Sequence, residues 1–188
     1  QVENITSIKF MTLDLSGGYP MGFTRPALLF VLAPLCLLFS SCGAHTPTET
    51  LSDADKAFTA DSDYPKAIEL YQKVVNWTGE GVVTEGDRVK AYLNLTRSKV
   101  ANKDFDGAVA SLKEMQKALG DSFKLNYINT VISDLTDQNA IDQAIACLGF
   151  AGEIYPDQKE ILQNAAEAIK KRGLSDDQMK KFAELGYL

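Results

Sequence analysis

Apolar residues return at helical spacing through most of the chain beyond Leu51. In 63–75 they fall at 64, 67, 68, 71, 74 and 75, one stripe of an amphipathic helix with polar residues between. Pro65 lies in the first turn, where a missing N–H leaves nothing unpaired. The layout returns from Asp104 through Phe105, Ala108, Val109, Leu112 and Met115, and from Ile141 through Ala144, Ile145, Leu148 and Ala151. Residues 159–171 add a stripe of Leu162, Ala165, Ala166 and Ile169, closed by Gly173. Ser175 with Gln178 three residues later is a capping box and predicts a last helix over 176–184. No stretch alternates with the period of a strand, so the pattern predicts an all-α fold of about eight helices in antiparallel pairs. Residues 76–86, rich in Gly and Thr, read as a loop between pairs.

The pattern also repeats. Ala67, Ala108 and Ala144 recur at intervals of 41 and 36 residues, each preceded by a bulky residue (Tyr64, Phe105, Ile141) and followed by another (Tyr71, Leu112, Leu148). These lines resemble the tetratricopeptide repeat, a helix–turn–helix unit of about 34 residues. The segment DYPKAIELYQKVV is similar to that family's second helix. In the first helices Leu51, Tyr92 and Ile128 fill the large position, while Asp55, Thr96 and Ile132 stand where the family prefers Gly. Pro156 matches the family's helix-ending proline, with Gly79 and Gly120 in the equivalent places. The resemblance implies repeats over about 51–79, 87–120 and 122–156, capping helices over 157–186, and a short right-handed solenoid. In that layout the first helices line a groove. The offsets facing it are Lys56, then Lys90, Asn94 and Arg97, then Asn126, Asn129 and Ser133. Such a cationic, amide-rich strip would attract carboxylates and peptide backbone, and some family members hold a peptide's C-terminal carboxylate this way. An ordinary solvated helix face is the plainer alternative.

Upstream of the helices the character changes. The run 27–39 (ALLFVLAPLCLLF) is 13 residues long, too short to span a bilayer comfortably. Arg25 precedes it and Ser40-Ser41 follow it, the features of a secretory signal. The stretch Leu38-Phe39-Ser40-Ser41-Cys42-Gly43 resembles the lipobox of bacterial lipoproteins. That resemblance implies cleavage before Cys42, lipid on its sulfur, and a membrane-anchored mature chain. Met21 stands four residues before Arg25, so the signal is expected at 21–41, with 1–20 as upstream read-through or an N-terminal extension. Residues 42–50 are expected to be a lipidated tether, and 51–188 the helical domain. Gly43 lacks the Asp that retains some lipoproteins at the inner membrane, which favours an outer-membrane position facing the periplasm.

Composition removes several chemistries. The 188 residues carry 19 Lys+Arg against 25 Asp+Glu, a net charge of −6. That argues against a nucleic-acid binder, which needs a basic face to displace counterions. One His and three Cys supply no zinc or haem ligand set. His45 falls in the tether. The acidic turns 61–63 and 104–107 lack the Gly and Glu of a calcium loop. Gly79-Glu80-Gly81 is a lone GxG, and Cys147 reads as a small core residue. Trp77 is either a packing lid at the end of its helix or an aromatic anchor for a partner. The expectation is a non-enzymatic scaffold without metal or cofactor, lipid-anchored at the envelope, that binds protein or peptide partners. A receptor for a small ligand or cell-wall fragment, or an accessory subunit of an enzyme complex, is the alternative.

Overall fold

The computed structural model describes residues 45–188. Among them are eight α-helices and no strand: α1 (Pro47–Thr59), α2 (Tyr64–Val75), α3 (Glu85–Ala101), α4 (Phe105–Leu119), α5 (Leu125–Asp137), α6 (Ile141–Ile154), α7 (Lys159–Lys170) and α8 (Asp176–Glu184). A 3-10 turn at Gly120–Ser122 links α4 to α5. Local chemistry explains the boundaries. Asp63 and Asp104 cap α2 and α4, accepting from the N–H groups of Lys66 and Gly107 at 3.2 and 3.1 Å. Thr84 caps α3, which begins two residues before the expected start of its repeat. Ser175 and Gln178 form the predicted capping box of α8.

Residues 47–50, expected within the tether, belong instead to α1, which begins at Pro47. Thr46 accepts from the Glu49 N–H at 3.2 Å, and the Glu49 carboxylate accepts from the Thr46 N–H at 2.9 Å. This capping box, with Pro47 at the first helical position, starts the helix ahead of its apolar stripe. Pro47 is buried, and Gly81, at φ +95°, lies against it: a Cβ there would come within 2.9 Å of the proline ring. The loop after α2 thus folds back over the start of α1.

Three turns share one geometry. Ser62, Lys103 and Asn139 adopt left-handed backbone (φ 52°, 63° and 58°). The residues that follow, Asp63, Asp104 and Ala140, sit at φ −87°, −86° and −85°. A single left-handed residue reverses the chain, so α1–α2, α3–α4 and α5–α6 are each a tight helical hairpin. Gly173, at φ 79°, lies in the turn between α7 and α8.

Neighbouring helices pack in a row. Beyond the hairpins, α2 packs on α3 and α6 on α7. The odd helices α1, α3, α5 and α7 touch in series, as do α4, α6 and α8, which makes two layers. Ala67, Ala108 and Ala144 have no exposed surface, and neither do Tyr71, Leu112 and Leu148 one turn further on. Phe182 of α8 follows Leu148 by 34 residues and is equally buried. Side-chain hydrogen bonds between layer neighbours join residues 35–39 apart, one interval of the pattern. The core has two apolar clusters. One gathers Leu51, Ala54, Ala57, Ala67, Tyr71, Val74, Ala91 and Leu95. The other runs from Val100 to Phe182, so α3 contributes to both.

Candidate functional site

The residues expected to line a groove lie on α1, α3 and α5, in the odd layer. The structure divides them into an engaged half and a free half. Asp55 on α1 is the centre of the engaged half. Its Oδ1 accepts from the Tyr71 hydroxyl at 2.7 Å and from Asn94 Nδ2 at 3.3 Å, and its Oδ2 accepts from Lys90 Nζ. Asn94 Nδ2 also donates to the Tyr71 oxygen at 3.2 Å. Burial first, then the Asp55 carboxylate, push the Tyr71 phenol above its ordinary range, so it stays a donor. Asp55 occupies a position where the resemblance implies a glycine. Here a carboxylate fits because three donors converge on it.

Arg97 is engaged as well. Its Nε donates to Asp134 of α5 at 2.7 Å, and its guanidinium lies 5.7 Å from the centroid of the Phe58 ring. A third pair, Arg172 with Asp137 at 2.5 Å, joins the end of α7 to α5. Lys90, Arg97 and Arg172 each meet an aspartate of the neighbouring odd helix. The expected cationic strip is therefore largely neutralised from within. Nothing in the apolar periodicity marks Asp55 and Asp134 as partners. Their spacing from Lys90 and Arg97, 35 and 37 residues, is the signal that could have found them.

The free half is Lys56, Asn126, Asn129 and Ser133, whose side chains form no hydrogen bond or ion pair among the described residues. Asn129 and Ser133 line a cleft of about 370 Å³ between α5 and α7, with Ile132, Ile161, Asn164, Ala165, Ala168 and the mutually paired Asp137 and Arg172. Asn129 Oδ1 is shielded from solvent and accepts no hydrogen bond. Ile161 is 44% exposed, although Leu162, Ala166 and Ile169 of the same helix are buried.

His45 Nδ1 lies 3.8 Å from Asp53, both well exposed. Cys147 is fully buried, and burial pushes its thiol up to about 12, far from a nucleophile's range. The turns at 61–63 and 104–107 supply helix caps. Trp77 is half-buried. Its indole N–H donates to the Glu80 carbonyl at 3.1 Å, and Gly79 packs against its ring, so it organises the loop after α2. One edge of it borders an open cleft with Glu69, Gln72, Asn76 and Thr78. No cluster of His, Cys, Asp and Glu suited to a metal ion occurs among the described residues. No helix there is long and apolar enough to cross a membrane. Cys42 and the apolar run before it lie outside the described residues. No family model, curated protein or solved structure matches the chain.

Proposed function

We propose that this protein is a non-enzymatic, protein-binding scaffold of tetratricopeptide-like helix pairs, anchored by lipid on Cys42 to the bacterial envelope. The observation that carries the binding reading is the odd layer, where unengaged amides border a cleft containing an exposed isoleucine. Singly exposed apolar residues are common, but one lining a cleft beside free hydrogen-bonding groups is a surface suited to a partner. The repeat reading draws support from three hairpin turns of one geometry and from lateral hydrogen bonds one interval apart. The anchor reading rests on the lipobox-like residues 38–43. Two or more acyl chains give stable anchoring, whereas one binds reversibly.

Crosslinking in native membranes, followed by capture of the chain, tests the scaffold. Recovered protein partners support it. No partner, with a small ligand co-purifying, favours the receptor reading, for which the Trp77 cleft is the second place to look. Labelled fatty acid tests the anchor: it should enter the wild type and not Cys42→Ser. A wild type that takes up no label, and whose mature form is soluble and starts elsewhere, would remove the lipid-anchored reading.

A further inference from the structure

We propose that the α5–α7 cleft takes an uncharged, extended polypeptide segment bearing an aliphatic side chain, and that this face does not select carboxylates. The inference rests on the protein-binding reading and names its ligand class. Four observations converge on it. The cations at the face are already matched: Lys90 to Asp55, Arg97 to Asp134 and Arg172 to Asp137. An incoming carboxylate would have to displace an aspartate held by its own helix, and would meet that aspartate's charge while doing so. Of the cations expected on this face, Lys56 on α1 is the one that pairs with no acid among the described residues, on a chain of net charge −6.

The unused groups are neutral. Asn126, Asn129 and Ser133 follow one another along one face of α5, over about 10 Å at the rise of an α-helix. About three residues of extended chain cover that length. Asn164 of α7 also lines the cleft. An amide side chain donates and accepts, as each peptide unit does, so this set matches a backbone rather than a point charge. Asn129 Oδ1 lacks a donor, and a rotation of its amide towards the cleft would let a partner N–H supply one. The apolar part is Ile132, Ile161, Ala165 and Ala168, which suits an aliphatic side chain and offers no aromatic ring.

Panning the whole chain, in detergent micelles, against displayed random heptapeptides with both ends masked by Gly-Ser tests the inference. Enriched sequences should carry Leu, Ile or Val and lack Asp and Glu. A synthetic peptide made from them should lose about tenfold or more in affinity with Ile161→Asp, as expected for a contact at the centre of a site. Ala168→Glu should act likewise and serves as a second probe, since both positions are exposed and retention of the melting curve is readily checked. Lys90→Gln and Arg97→Gln should leave peptide affinity unchanged in variants that stay folded. Enrichment of acidic sequences, indifference to both cleft variants, or no enrichment over an unrelated helical bait would overturn the inference. Membrane crosslinking with wild type and Ile161→Asp separates the two readings. The same partners in both would retain the scaffold and remove this cleft. No partner with the wild type would remove both.

Discussion

Ala67 and Ala108 have no exposed surface, and each stands one turn before a large buried residue, Tyr71 or Leu112. A larger side chain has no room at either alanine. Ala67→Trp and Ala108→Trp should each lower stability by about 1–3 kcal/mol through overpacking, read as a shift in the denaturation midpoint. Unchanged midpoints for both would mean that helices do not close on these positions. Tyr71 joins packing to electrostatics, because its ring is core and its hydroxyl serves Asp55. Tyr71→Phe keeps the ring and removes one donor from a half-buried carboxylate. The expected loss is about 1–3 kcal/mol in urea unfolding. An equal loss in an Asp55→Asn background would show that the hydroxyl does not act through the carboxylate.

At the scale of one element, α8 is the instructive case. Its apolar anchor is Phe182, fully buried, and its polar anchor is Asp142 of α6. Asp142 accepts from Lys181 at 2.7 Å and from Gln178 at 3.2 Å. The Lys181 hydrogen bond holds the Asp142 carboxyl below its ordinary 3.8, and the same contact raises Lys181 above 10.5. A carboxyl lowered by folding stabilises above its ordinary value and ceases to do so as pH falls through the lowered one. A raised lysine stabilises below its ordinary value and ceases to do so as pH rises through the raised one. Docking of α8 should thus be firmest between the two. Amide exchange, corrected for its intrinsic pH dependence, should show protection of 176–184 falling below pH 3.8, and Asp142→Asn should abolish that dependence. A wild-type profile identical to the variant's would leave Phe182 as the whole of the anchor.

Over the whole molecule, burial is uneven. The cluster around α1 and α2 contains Ala54, Ala57, Ala67 and Ala91 among its few members, whereas the cluster spanning α3–α8 holds most of the large buried aliphatic side chains. Apolar area removed from water scales with side-chain size, so the first hairpin has less to hold it. Native-state hydrogen exchange should show α1 and α2 opening at lower free energy than α5 and α6, as a separate cooperative unit. Equal protection in both would mean that the polar seam of Asp55, Tyr71, Lys90 and Asn94 couples the clusters into one unit.

Hydrophobic spacing, helix caps and the recurrence of small and large residues were written along the chain, so helix number, hairpin pairing and the buried alanines could all be read from it. These features follow from local periodicity and short-range hydrogen bonding, which need no partner distant in sequence. Even so, α1 begins earlier than its stripe, because Thr46 and Glu49 close a cap ahead of the first large apolar residue. The candidate groove was legible as a set of positions on one layer but not as a charge pattern. Lys90 and Arg97 look free in the sequence because Asp55 and Asp134 are 35 and 37 residues away. Only the packing of α1, α3 and α5 side by side brings these charges together, and Coulomb attraction at contact distance then neutralises them. The same packing leaves Asn129, Asn164 and Ile161 around a cleft that no single helix contains.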